Sequence, residues 1–322
     1  MKVVISYRKL YFTLFLTILN SVSFATENVK SIPPKDPVTP VAIIAPASDF
    51  KLPDISAYNK LLNNRYSLFT HERTYLLPFS YNATPHNEIY SGLLGVEEQQ
   101  KGVPFYGNTE AEFQISFFIP IYRNIAGTKW DLLVAYTHHA WWQVYNSSWS
   151  RPFRETNYKP EVYFRKVDQD PMKISMFSAL AYDIGYVHQS NGQIQVVSRS
   201  WDRVFGRAYL VSPSFSLTLE AWVRLPEKDG DDNTDILTYM GLGEATLHKS
   251  FGVHTFEAKV PFAAKPGLEI QYSHPWHDHL RWFVSASTGY GHSLIEYNKE
   301  TERIGVGFTV ETFMDKQDTN KL

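Results

Sequence analysis

The chain has 322 residues, with 31 Lys and Arg against 33 Asp and Glu, a formal net charge of −2. That balance excludes a basic nucleic-acid binder, and the lack of cysteine excludes a disulfide scaffold, a thiolate metal site and a cysteine nucleophile. Aromatic residues make up 15% of the chain, yet its mean hydropathy is negative and it has one apolar stretch of note, which excludes a polytopic helical membrane protein. Such a composition suits an alternating transmembrane β-barrel, and suits a soluble all-β protein as well.

Residues 1–25 read as a secretory signal peptide. Lys2, Arg8 and Lys9 form a basic start, Leu10 to Leu19 an apolar core broken only by threonines, and Ser23 and Ala25 supply small residues for cleavage after Ala25. An uncleaved anchor helix is the alternative. Export without cysteine fits a Gram-negative envelope. Residues 26–65 lack strand alternation and contain Pro33, Pro34, Pro37, Pro40, Pro46 and Pro53, so an extended or disordered periplasmic N-terminal segment is expected, ending near Asn64.

From Tyr66 onward, short segments of alternating polarity follow one another. The clearest is Phe215 to Leu225, where Phe215, Leu217, Leu219, Ala221, Val223 and Leu225 alternate with Ser216, Thr218, Glu220, Trp222 and Arg224. One face suits lipid and the other a polar lumen. Strands are predicted at 66–81, 111–123, 130–146, 157–168, 173–190, 200–212, 214–226, 236–250, 252–265, 266–274, 279–291 and 301–313. The even total predicts one twelve-stranded antiparallel transmembrane β-barrel over 66–313. Phe313 would be its terminal aromatic, with residues 314–322 as an appended tail.

The chemistry falls on the fifth and sixth predicted strands. In Tyr182 to Gly192, residues two apart share a face, and Ile174, Met176, Leu180, Tyr182, Ile184 and Tyr186 mark the even face as lipid-directed. His188 and Ser190 share that parity and would lie outside the barrel near the strand's end. On the next strand Val204, Gly206, Ala208 and Leu210 mark the outward face, while Arg203, Phe205, Arg207 and Tyr209 point inward. Asp202 is outward, so a hairpin could set it beside His188. A carboxylate orienting a histidine that deprotonates a serine is acyl-transfer chemistry. Three unrelated polar residues of an interfacial girdle would have the same parity.

The segments Tyr186–Gly192 and Ser198–Arg203 resemble the bacterial outer membrane phospholipase A family. Ser150–Tyr158, Asp232–Asp235 with Tyr239–Gly241, and Gly289–Ile295 agree, so the resemblance spans about Tyr66 to Phe313. It implies a calcium-dependent, dimerisation-activated phospholipase A1/A2 and lysophospholipase in the outer membrane, with Ser190 as nucleophile and His188 as general base. The family's third member is usually asparagine; Asp202 occupies that position and still suits an orienting role. The resemblance also implies Ca2+ at a homodimer interface, held by the Gln193 carbonyl and Ser198 of one subunit and Ser150 of the other. Gln193 stands where the family pattern has arginine. The Gly192 N–H would serve the oxyanion hole. With both termini periplasmic, the site would meet the outer leaflet.

Other polar motifs rank lower. His274 to His279 looks suited to metal but falls in a predicted periplasmic turn, and His138 and His139 alternate between faces beside Trp141 and Trp142. Gly291-His292-Ser293 lacks the second glycine of a nucleophile elbow. Asp229, Asp231, Asp232 and Asp235 read as a solvated loop. The competing class is a non-enzymatic barrel, a small porin or surface platform, which has no use for His188, Ser190 and Asp202 on one outward parity.

Overall fold

Alternating polarity drives each strand to hide its polar face within a closed wall and offer its apolar face to lipid, because a closed barrel leaves no backbone group unpaired in the membrane. The computed structural model describes residues 59, 62–63, 68–90, 104–227 and 230–310, without the side chains of residues 169 and 195. The signal peptide, most of the 26–65 segment, Asp229 and the 314–322 tail lie outside the described residues.

Twelve antiparallel strands close into a ring: β1 (Tyr75–Asn82), β2 (Thr109–Tyr122), β3 (Trp130–Trp142), β4 (Phe153–Ile174), β5 (Phe177–Ser190), β6 (Ser200–Val211), β7 (Ser216–Arg224), β8 (Gly243–Phe251), β9 (His254–Pro261), β10 (Leu268–His277), β11 (Leu280–Gly289) and β12 (Thr301–Val310). Each pairs with its sequence neighbours, and β1 pairs with β12 to close the wall. The pair Phe69–Thr70 extends β1 along β2. At the seam Pro78 interrupts the ladder, with register shifts against both β2 and β12. Gly307 makes this possible, since a Cβ there would lie 2.0 Å from the Leu76 carbonyl oxygen.

The faces follow the predicted parity. On β5 Ile184 is 54% exposed whereas Asp183 is 3% exposed, and on β7 Val223 is exposed while Trp222 is buried. The chain thus buries its charges and exposes its aliphatic residues, the inverse of a soluble protein. Turns at one end are short (175–176, 212–215, 252–253), whereas the loops 143–152, 191–199, 225–242 and 290–300 at the other are longer. These are the periplasmic and extracellular ends of an outer-membrane barrel.

The lumen is packed with paired charge. Arg165 bonds Asp183 at 2.7 and 2.8 Å, and Arg207 reaches Asp183, Glu161 and Glu220. Lys159 is paired with Glu72, and His71 Nε2 lies 2.9 Å from Glu161. Phe118, Leu133, Tyr163, Phe205 and Trp222 fill space beside them, leaving a cavity of about 180 Å3 lined by residues that include Lys159, Glu220 and Lys259.

Three sequence expectations are corrected. Residues 237–240, predicted as the start of a strand, form a helical turn (Leu237–Met240), because Gly241 at φ +73° ends it and β8 begins only at Gly243. Its apolar residues pack on the luminal cluster, not on lipid. The 274–279 turn is shorter than expected: β10 continues through His277, with a bulge between Pro275 and His277 that absorbs the proline. The segment before Asn64 is not wholly extended, since Asn59 and Leu62 are helical and Leu62 is buried with Phe118 and Leu133.

Candidate active site

The β5–β6 hairpin builds the site by register. Tyr186 pairs with Val204, His188 with Asp202 and Ser190 with Ser200, so all three predicted residues share the outward face near the extracellular end. His188 Nδ1 lies 2.8 Å from Asp202 Oδ1. A ring nitrogen facing a carboxylate carries the proton, which leaves Nε2 as the free base. The two side chains are 38% and 31% exposed, on a surface otherwise facing lipid. Ser190, half-buried two residues beyond His188, makes no side-chain hydrogen bond among the described residues.

The inward residues lock this hairpin. Gln189 Oε1 accepts from Trp201 Nε1 at 3.0 Å and from Arg203 Nη2 at 2.9 Å, and the Arg203 guanidinium lies 3.7 Å from the Trp201 ring centre. At Gly185 a Cβ would come within 2.5 Å of the Val162 carbonyl oxygen, so glycine lets β5 approach β4 closely.

Asn191 shapes the loop after Ser190. It is buried; its Oδ1 accepts the N–H groups of Gln193 at 3.3 Å and Arg199 at 3.0 Å, while its Nδ2 donates to the Val197 carbonyl at 2.8 Å and to Glu155 Oε2 at 3.4 Å. Glu155 in turn accepts from Asn157 Nδ2 and the Ile295 N–H, tying the site loop to β4 and to the 290–300 loop. Gly192 takes φ +62° with its Cβ position 3.0 Å from the Tyr158 ring, so a side chain there would be strained and crowded. Its N–H is thereby held two residues from Ser190.

The predicted calcium ligands sit on two loops. Gln193 and Ser198 share the loop between β5 and β6, whereas Ser150 follows the helical turn Ser147–Trp149 between β3 and β4, at φ +56°. The Gln193 carbonyl and the Ser150 and Ser198 hydroxyls accept no hydrogen bond among the described residues, and Ser150 makes none to the other two. Their oxygens are hard donors of the kind calcium takes, so the donor set fits the ion.

Several residues of the lower-ranked motifs find internal partners, whereas the His277–Asp278 pair is exposed. Asp231 bonds Arg224 at 2.7 Å and Asp235 accepts from the Tyr297 hydroxyl. His139 points inward to Glu112 and Tyr75, both at 3.0 Å, while His138 packs outward on Phe113 and Tyr158. His292 accepts from Trp141 Nε1 at 3.3 Å in the lumen. The sequence reading missed Tyr186, counted only as lipid-facing, whose hydroxyl donates to Asp202 Oδ1 at 2.6 Å. It also missed Asn191 and Glu155; the signal available was a carboxylate within Arg154-Glu155-Thr156-Asn157, among residues already singled out.

The family model described as phospholipase A1 matches residues 54–310. Phospholipase A1 of Escherichia coli K12 is 30% identical over 248 residues, covering 76% of this chain and 82% of that protein, as is that of Salmonella typhimurium. Among solved structures, outer membrane phospholipase A from Escherichia coli aligns with a TM-score of 0.71 at 28% identity, over 78% of this chain and 94% of that one. A Salmonella typhi outer membrane phospholipase, solved as a dimer with bound calcium, aligns with a TM-score of 0.72 at 29% identity, over 79% and 96%.

Proposed function

Since the chain belongs to the phospholipase A1 family and is an outer-membrane phospholipase, we propose that it hydrolyses acyl esters of phospholipids and lysophospholipids through Ser190, His188 and Asp202 on the lipid face, as a calcium-dependent homodimer. The observation that carries this reading is the His188 Nδ1–Asp202 Oδ1 bond of 2.8 Å on a face that otherwise meets lipid, two residues from an unbonded serine.

In this mechanism His188 Nε2 takes the Ser190 proton as Oγ attacks the ester carbonyl carbon. Asp202 stabilises the imidazolium and fixes its tautomer. The Gly192 N–H donates to the oxyanion, and collapse expels the glycerol oxygen, which receives the proton from His188. Water, deprotonated by the same imidazole, then releases the fatty acid and restores Ser190. Ser198, the Gln193 carbonyl and Ser150 of the partner subunit would hold calcium, which when bound would supply positive charge to favour the oxyanion. That a Salmonella typhi relative is solved as a dimer with bound calcium supports calcium and a dimer here. With the site at the extracellular end, phospholipid must reach the outer leaflet to be cut, so dimerisation would gate activity.

The test is fatty-acid release from phospholipid by refolded protein in detergent. EDTA is expected to lower release by at least about tenfold and added calcium to restore it. Ser198→Ala is expected to raise the calcium concentration needed for half-maximal release. Equal rates with EDTA and with calcium would remove calcium from the mechanism, and a monomer as active as the dimer would remove the gate.

A further inference from the structure

The hydroxyl of Tyr186 and the Nδ1 of His188 meet the same oxygen of Asp202, at 2.6 and 2.8 Å. The register explains how. His188 stands directly opposite Asp202, so Tyr186, two residues earlier on the same face, is its diagonal neighbour, a separation that an aromatic side chain spans. A carboxylate oxygen has two lone pairs, and here both are used, one by the phenol and one by the imidazole. The phenol ring lies on the lipid face with its polar tip on the carboxylate.

We propose that Tyr186 is a positioning residue of the active site: its phenol holds the Asp202 carboxylate in place and moderates the pull of that carboxylate on His188. The inference rests on the Ser190–His188–Asp202 reading. A carboxylate on a lipid face is poorly solvated, and an asparagine at this position would carry no charge to compensate. Here the acid brings a full charge to the imidazole, and the second donor takes up part of it. The carboxylate oxygen, shared between two donors, thus holds the imidazolium form less strongly than it would with the imidazole as its one donor.

Other polar groups around the pair hydrogen-bond elsewhere, although Arg203 and Glu227 lie close enough to Asp202 to interact with its charge. Arg203 on β6 points into the lumen to Gln189, Arg224 on β7 bonds Asp231 and lies 3.6 Å from Glu227, and Tyr158 on β4 stands opposite Ser190. Among the described residues the side chain of Asp202 receives hydrogen bonds from Tyr186 and His188 alone.

The experiment measures kcat/KM against pH with a zwitterionic phospholipid analogue and saturating calcium, for the full-length refolded chain. Wild type, Tyr186→Phe, Asp202→Asn and the double variant are compared, each checked for heat-modifiable electrophoretic mobility. Without the phenol the imidazolium is better stabilised, so the acid limb of Tyr186→Phe should move upward by about half to one pH unit. In the Asp202→Asn background the same substitution should leave that limb in place. A limb unmoved by Tyr186→Phe, or moved equally in both backgrounds, would overturn the inference, because a purely structural tyrosine lowers the rate without shifting the profile. Ser190→Ala run alongside separates the other failure: full hydrolysis there would remove the triad itself, and this inference with it.

Discussion

Replacing Ser190 by alanine is expected to lower phospholipid hydrolysis by about 10^4-fold or more while leaving the folded barrel intact. The serine oxygen is the only atom lost, and it is the atom proposed to attack the ester; Ser200, its cross-strand partner, lies diagonally from His188 and keeps its own hydroxyl in this variant. The Ser190 hydroxyl makes no side-chain hydrogen bond among the described residues, so stability should change by no more than about 0.5 kcal/mol. Heat-modifiable mobility and the unfolding midpoint check the fold, and titrated fatty-acid release checks the rate. A folded Ser190→Ala protein with more than about a tenth of wild-type activity would be incompatible with a serine nucleophile at this position.

The second large effect is on stability. Arg154→Ala is expected to destabilise the barrel by about 3–5 kcal/mol, because it takes from buried Glu296 the cation bonded to it and from Glu110 one of two. Arg154 is fully buried; it bonds Glu110 through two nitrogens at 2.9 and 3.0 Å and Glu296 at 2.9 Å, and its guanidinium lies over Tyr106. Burial alone pushes the Glu296 carboxyl up, but Arg154 and Arg303 overcome that and hold it below its usual range. With Arg154 gone, Arg303 remains on Glu110, while Glu296 keeps only hydroxyl donors in Tyr106 and Ser293. Arg154→Lys should recover only part of the loss, since an ammonium cannot form the two-point contact. Denaturant unfolding followed by tryptophan fluorescence measures both. A midpoint for Arg154→Ala equal to wild type would show that water replaces the guanidinium without cost. Because Glu296 sits in the loop whose Ile295 N–H bonds Glu155, and Glu155 bonds Asn191, the folded fraction should also lose activity.

How much of this was legible in the sequence depends on what alternation encodes. A period of two assigns faces, so it placed Ile184 and Val223 on lipid and Asp183, Arg203 and Arg207 in the lumen. Parity also put His188, Ser190 and Asp202 on one side, and the hairpin between them was short enough to bring His188 and Asp202 together. Alternation does not encode register or side-chain reach. The diagonal bond from Tyr186 to Asp202 was therefore invisible, and Tyr186 read as one more apolar residue. The Leu237–Met240 turn was misread because its residues are apolar for packing on the lumen cluster, and a four-residue helix has no period of its own. His274 to His277 looked like a turn because proline and aspartate suggest one, but a bulge kept the strand going. Asn191 and Glu155 carry no local pattern, because their partners lie on other strands and loops. The resemblance of Tyr186–Gly192 and Ser198–Arg203 to a phospholipase family supplied what parity could not, the proposals of Gly192 as oxyanion donor and of Gln193, Ser198 and Ser150 as calcium ligands.

The central claim is that Ser190 is a nucleophile activated on the lipid-facing wall. It is tested most directly by treating the refolded, calcium-loaded protein with a serine-directed alkyl fluorophosphonate and locating the adduct by peptide mass spectrometry. The account predicts one adduct, on Ser190, formed in step with loss of hydrolysis and suppressed in His188→Ala. An active protein that resists the reagent, or one inactivated by modification at another residue while Ser190 stays free, would contradict it.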